Sequence, residues 1–493
     1  MTMDPELKRL SEFDERIQEI ARELGLDFFP QEFDAIPAQK MLQVLAYRFP
    51  VNFSHWSFGR DYEREKTKYE HGFGIPYELV LNSNPSRAYL MNTNPFPVQV
   101  MVMAHVYAHN DFMKNNFHFK PTRRDILPSA SEAAIRFQRY EKRFGLEEVE
   151  RLMDTGLSIE FNIDPDFFIK EENEEQKRER LSTPPRKAEV LGPYDDLISR
   201  KKVERPSAED YNRKTPPEPE RDVLLYIINH SPKPLKEWEK DILSVIRDQS
   251  RYFMPQRRTK IMNEGWATFW HMKIMDRLFK ERLLKEEEHG YYNLYNARVL
   301  ATSPRTINPY LVGLKIFEDI EDRWNKGRFG REWEECEDPK EKEAWDLELG
   351  QGREKIFEVR RSYTDRFFIE HFLREKLVDE LELYLYEGRQ EAGEIKYVIS
   401  ERDWRRIKNL LVSHLSTFDI PLIMVEDGDY KGKREIYLKH AYEGIELDQG
   451  YREKTMEHIF YLWDRPVHLE SIVDGKTVIF TFDGSSHSQK PQR

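Results

Sequence analysis

Apolar residues recur at helical spacing through much of the chain, and the exceptions are informative. Leu7 to Leu24 has apolar positions every three or four residues with Glu and Arg between them, which predicts an amphipathic helix. Val98 to Asn116 has no polar stripe. Val98, Val100, Met101, Val102, Met103, Ala104, Val106, Tyr107, Ala108 and Phe112 cover every side, so this helix is expected to be buried. PLKEWEKDILSVIRDQSRYF spaces Trp238, Ile242, Val245 and Ile246 helically, and MNEGWATFWHMKIMDRLFKERLL predicts a long helix that is apolar nearly all round at its start. VLLYIIN is a short buried run. Ahead of the first apolar helix, Glu78 to Leu81 and Ala88 to Met91 flank NSNPS, a hairpin signal with turn residues between two short runs.

The pattern changes after Ile356. RSYTDRFFIEHFLREKLVDELELYLYE predicts a helix passing into a strand. KYVIS then reads as a strand and Asp403 to Phe418 as a helix, and PLIMVED and REIYLKHAYE read as strands about DGDYKGK. Gln449 to Trp463 reads as a helix, and VHLESIVDG and KTVIFTFDG as a hairpin across Asp474-Gly475. The fold class expected is α+β. A mainly helical N-terminal domain carries a small hairpin before a buried His-bearing helix, and a C-terminal antiparallel sheet has helices on one face. The segments expected are 1–168 and 222–350 as two halves of the helical domain, 169–221 as a charged linker or insertion, 351–484 as the α+β domain, and 485–493 as a tail. KEENEEQKRERLSTPPRK and TPPEPE mark the linker.

Composition narrows the chemistry. The 493 residues carry a formal net charge of −12, which argues against nucleic acid as the main partner. The lone cysteine, Cys336, allows neither an internal disulfide nor a thiolate cluster, so any metal must use His, Asp or Glu. No apolar run approaches 18 residues and the N-terminal stretch lacks a signal-peptide pattern, so no membrane span is expected and the location expected is cytoplasmic. No nucleotide-binding glycine fingerprint occurs.

His105 and His109 stand four apart, on one face of the apolar helix, where both can reach one ion. Position 106, the glutamate of the common hydrolytic version, is valine. Two buried imidazoles need partners, which a cation or backbone and water would equally supply. In KIMNEGWATFWH, Glu264 lies among Met262, Trp266 and Phe269 and is expected to be buried. His271 follows two turns later on the same face, with Lys260 and Thr268. Pairing of Glu264 with Lys260 or His271 would satisfy it without a metal. Two histidines plus a carboxylate also make a common catalytic zinc set. The candidate ligands of zinc or another divalent metal are His105, His109 and Glu264, with His271 as base or oxyanion stabiliser. An exchanged arrangement has His105, His109 and His271 as ligands and Glu264 as base. Asp111 points away from that face. His55 and Trp56 read as packing residues, and His414, His440 and His458 stand at no ligand spacing.

Asn263-Glu264-Gly265-Trp266-Ala267 is similar to the run that carries the third ligand in zinc peptidases of the gluzincin kind, where a strand edge also precedes the histidine helix, as Glu78 to Met91 would here. A closer resemblance covers nearly the whole chain. HWSFG (His55 to Gly59), LNSNPSRAYLMN, AHVYAHNDFMKNN, YFMPQRRTKIMNEGWATFWH, INPYLVGLKIFEDIEDRW, LKHAYEGIELD and HIFYLWDRPVHLES together resemble the stage V sporulation protein R (SpoVR) family. The resemblance implies a helical N-terminal domain, a smaller C-terminal domain, and a role in bacterial sporulation or stress physiology, with spore cortex formation as the founding association. The family usually has glycine before the second histidine, where this chain has Ala108. Two functions follow as expectations: a metal-dependent hydrolase of amide or peptide bonds, with a peptidoglycan-related substrate as candidate, or a non-catalytic regulatory or scaffold protein with a structural metal or none. Val106 and the charged C-terminal region favour the second. The C-terminal sheet edge is a candidate docking edge for a partner protein.

Overall fold

The computed structural model describes residues 5–51, 53–70, 78–166, 168–169, 174–182, 214–303, 306–391, 394–417 and 420–491. Most of the expected linker, 169–221, lies outside the described residues. The chain forms two compact units. The first comprises the described residues of 1–136 and 252–419, the second those of 137–251 and 420–493. These units divide the chain differently from the compositional segments. Residues 351–419 fall in the first unit because Ile356, Val359, Phe368 and Ile369 are inserted into its core.

In the first unit the helix Phe96–Asn115, called here the histidine helix, is buried at every residue from Pro97 to Met113. It packs on helices Pro5–Glu23, Lys260–Lys280, Glu286–Val299 and Gly352–Ser362. The amphipathic first helix buries Leu10, Phe13, Ile17, Ile20 and Ala21 and leaves its charges outside. A small sheet lies ahead of the histidine helix in the chain. Strands β1 (Gln31–Ile36), β2 (Glu78–Leu81) and β3 (Ser86–Met91) take the order β1-β3-β2, with β1 parallel and β2 antiparallel to β3. The expected hairpin is β2–β3. QEFDAI of β1 has too few apolar residues to announce itself and is held by its pairing with β3.

Helix Lys260–Lys280, the glutamate helix, begins abruptly after helix Glu237–Arg258. Its N-terminus is capped from elsewhere in the fold. Both oxygens of Asp365 accept the first free backbone N–H groups, from Ile261 at 2.8 Å and Met262 at 2.9 Å. It then crosses helix Pro309–Lys326 at a pair of glycines. A Cβ on Gly265 would meet the Gly313 backbone at 2.3 Å, so only glycine allows this approach. A two-stranded sheet of β4 (Leu385–Glu391) and β5 (Glu394–Glu401), which includes the expected KYVIS strand, also belongs to this unit.

The second unit carries the sheet β10-β9-β8-β7-β6, built of β6 (Ile423–Tyr430), β7 (Glu435–His440), β8 (Val467–Val473), β9 (Lys476–Phe482) and β10 (His487–Pro491). Neighbours pair antiparallel except β7 and β8, which are parallel and joined through helix Gln449–Trp463, as a parallel pair requires a crossover. The Asp474-Gly475 hairpin forms as read from the sequence, and β10 extends the sheet into the segment expected to be a tail. VLLYIIN lies in helix Val223–His230; a short apolar run does not by itself distinguish helix from strand. The fold is α+β, with a helical N-terminal region and a C-terminal sheet that is mostly antiparallel. No helix among the described residues is long and apolar enough to cross a membrane.

Candidate metal centre

The four-residue spacing turns His105 and His109 to one side of the histidine helix, with ring centroids 4.5 Å apart. The glutamate helix packs against that side and brings Glu264 between them. One oxygen of Glu264, Oε2, lies 3.3 Å from His109 Nε2 and 3.6 Å from His105 Nε2. A fourth group comes from β2. Glu78 pairs opposite Leu90 and shares a strand face with Val80, so the two-residue alternation turns its carboxylate inward at a position that otherwise takes apolar residues. Its Oε1 lies 3.8 Å from His105 Nε2. The donor atoms of Glu78, His105 and His109 all lie within 4.8 Å of one another.

The outer ring nitrogens determine what these atoms can do. His109 Nδ1 donates to Asn263 Oδ1 at 2.9 Å. His271 Nε2 donates to Asn296 Oδ1 at 3.0 Å, so its Nδ1 carries a lone pair and accepts from His105 Nδ1 at 2.9 Å. The two Nε2 atoms of the histidine helix both face the Glu264 carboxylate oxygen. Such a convergence is stable only around a cation, either a proton on one imidazole or a metal ion.

The electrostatics follow from this arrangement. Burial opposes ionisation of Glu264, but the adjoining imidazoles of His105 and His109 override it and hold the carboxyl far below the usual carboxylate range. Burial by itself lowers His109, and the Glu264 carboxylate reverses the effect and raises it. Glu78 moves the other way, pushed up chiefly by burial and further by Glu264, against the pull of the imidazoles. His271 is pushed down to about 3, first by burial and then by His105, so it stays neutral.

The donor set fits a divalent ion. Ligand atoms bound tetrahedrally at zinc distances stand about 3.4 Å apart, close to the two Glu264 contacts. His105 Nε2 and Glu264 Oε2 are buried without a hydrogen-bond partner among the described residues. The side chains of Glu264 and Glu78 retain 18% and 14% exposure. Tyr310 stacks on His105 with ring centroids 5.9 Å apart, carried one turn ahead of the Gly265–Gly313 crossing.

The structure brings His105, His109 and Glu264 together, and it joins His271 to His105. Both His271 nitrogens are engaged by other side chains. Lys260 is exposed and Thr268 Oγ1 bonds the Glu264 backbone carbonyl, so neither joins the cluster. Asp111 faces the other way, into a buried ion pair with Arg360. The sequence reading did not single out Glu78, Asn263 or Asn296. The first left a trace, a carboxylate at an inward strand position; the two amides left none.

The family model described as SpoVR like protein matches residues 4–420, and the model described as SpoVR-like C-terminal domain matches residues 421–474. The chain belongs to the SpoVR family. The junction of the two matches coincides with the point where the second unit resumes. The "Uncharacterized protein YcgB" of Escherichia coli (strain K12) is 30% identical over 481 residues, which cover 92% of this chain and 90% of that protein. No solved structure matches the chain.

Proposed function

We propose that this SpoVR-family chain is a metal-dependent hydrolase of amide or peptide bonds, acting in sporulation or stress physiology, with peptidoglycan-related peptides as the candidate substrate class. The observation that carries the proposal is the convergence of the buried Nε2 atoms of His105 and His109 on Glu264 Oε2. His105, His109 and Glu264 would hold zinc or another divalent ion, which would supply Lewis acidity to acidify a water and polarise a carbonyl. Glu78 fills the role that Val106 cannot. Its inward carboxylate sits beside the same imidazole edge and stays partly exposed, placed to take a proton from the attacking water and return it to the leaving nitrogen. His271 acts through His105 and not on substrate: its neutral ring, oriented by Asn296, keeps the His105 proton on Nδ1.

A second reading has support from one contact. A proton shared by His109 and Glu264 at 3.3 Å would satisfy both as a buried ion pair, leaving a non-catalytic scaffold. Peptide hydrolysis by purified protein separates the two. The hydrolase reading expects Glu78→Gln to abolish turnover while retaining metal, and Glu264→Gln to lose the metal. Turnover unchanged in Glu78→Gln would remove Glu78 from the chemistry.

A further inference from the structure

Arg124, in the first unit, is a cation without a counter-charge. Its guanidinium lies over the Phe29 ring at 3.4 Å and donates from Nη2 to the Ser83 carbonyl at 2.6 Å. Its own carbonyl accepts from the Asn84 N–H at 3.0 Å, which fixes the base of the side chain. Arg124 Nε is buried with no acceptor among the described residues. The adjacent carboxylate, Asp125, is taken at both oxygens by Arg123. Burial lowers the Arg124 pKa, and no acid among the described residues opposes that shift. A half-buried guanidinium held by one ring and one neutral carbonyl keeps capacity for an anion, since only an opposite charge offsets its burial.

Its place gives that capacity a use. Arg124 grips Ser83, two residues past the end of β2, and Glu78 of the candidate metal centre opens the same strand. β2 is the edge of its sheet: β3 pairs along one side, and no described strand pairs along the other. Such an edge is recognised by the backbone of an extended peptide. Glu78 to Leu81 spans about 10 Å at strand rise and Ser83 lies beyond, so Arg124 stands roughly three to five residues from the cluster along the strand. A chain running parallel to β2 brings its C-terminus to that end, where a guanidinium complements a carboxylate.

We propose that Arg124 receives the terminal carboxylate of an extended peptide laid parallel along β2, so that the chain is cut at a fixed distance from its C-terminus. The inference rests on the hydrolase reading for the cut and not for the binding, and the experiment separates the two. N-acetylated penta-alanine, as free acid and as C-terminal amide, is titrated calorimetrically into the full chain in chelator, where no metal-dependent turnover interferes. The acid is expected to bind about tenfold tighter than the amide. Arg124→Gln keeps a donor for the Ser83 carbonyl; it is expected to weaken the acid to the level of the amide and to leave the amide unchanged. Arg124→Lys, which keeps the charge, is expected to retain part of the preference. With zinc added, alanine peptides of increasing length are expected to release the same C-terminal fragment, read by mass spectrometry. Equal binding of acid and amide by the parent, equal loss of both in Arg124→Gln, or cleavage at a fixed distance from the N-terminus would each overturn the proposal. Acid-selective binding with no cleavage would sustain the anchor and count against the hydrolase reading alone. The acid and amide comparison in the parent decides the matter if the variants fail to fold.

Discussion

Asp111 shows how the fold holds the histidine and glutamate helices together from behind the cluster. It is fully buried and accepts hydrogen bonds from Arg360 at 2.7 Å, Trp266 Nε1 at 2.8 Å and the Asp27 backbone N–H at 2.8 Å. Asp111 lies two residues past His109 and Trp266 two past Glu264, so the link spans the same pair of helices as the cluster, on the opposite side. Burial pushes the Asp111 carboxyl up to about 6 and lowers Arg360, which means that each charge is costly to bury without the other. Asp111→Ala leaves the guanidinium uncompensated and should cost about 3–5 kcal/mol, a fall in Tm of roughly 5–8 °C for a unit of this size. In the double variant Asp111→Leu, Arg360→Met no charge is stranded. What remains unsatisfied is the Trp266 and Asp27 N–H groups, at about 1–3 kcal/mol each, a loss the single variant shares. Urea unfolding followed by tryptophan fluorescence measures both. A single variant within 1 kcal/mol of the parent, or a double variant as unstable as the single, would refute the reasoning.

Other expectations follow from the same structure. Gly313→Ala would place a Cβ 2.1 Å from the Ile261 carbonyl oxygen, with backbone on both sides of the crossing; a loss of about 1–3 kcal/mol or more is expected in thermal melts, and an unchanged Tm would mean that the crossing is looser than described. Asn296→Ala frees the His271 tautomer and should weaken zinc affinity about 10–100-fold in chelator competition, with little change in Tm of the metal-free protein. In the second unit His440 is buried against Ser471 Oγ at 2.8 Å, and burial lowers its pKa below the ordinary imidazole value of 6.5. The folded ring therefore takes up its proton at lower pH than the unfolded chain, which gains one as pH falls through 6.5, so stability held above that pH declines below it by at most about 1.4 kcal/mol per pH unit until the folded ring is protonated as well. His440→Gln should reduce that slope in urea midpoints taken from about pH 7.5 to 5.5; an identical slope would exclude His440 as its source.

Much of the fold is legible in the sequence because burial follows period. The histidine helix has no polar stripe and is buried throughout its middle, and NEGWATFWH signals a second helix of the same kind. The Asp474-Gly475 hairpin is announced by its turn. What escapes the sequence is set by tertiary packing. β1 is polar at half of its six positions and exists through backbone pairing with β3. The helices of 352–372 carry ordinary amphipathic patterns that do not say which core receives them. In the cluster, His105, His109 and Glu264 stand out because charge in an apolar setting is conspicuous. Glu78 contributes from a strand, where no helical spacing links it to the histidines. Asn263 and Asn296 are uncharged amides whose roles arise only from which ring nitrogen each one meets.

The central claim is that the converging Nε2 atoms and the Glu264 carboxylate hold a metal and not merely a proton. The direct measurement is elemental analysis of the desalted full-length chain purified from zinc-supplemented medium, beside His109→Ala and Glu264→Gln. One divalent ion per chain is expected in the parent and in Glu78→Gln, with loss in the other two variants. A folded parent free of stoichiometric metal, whose Tm does not rise on adding zinc, would contradict the account.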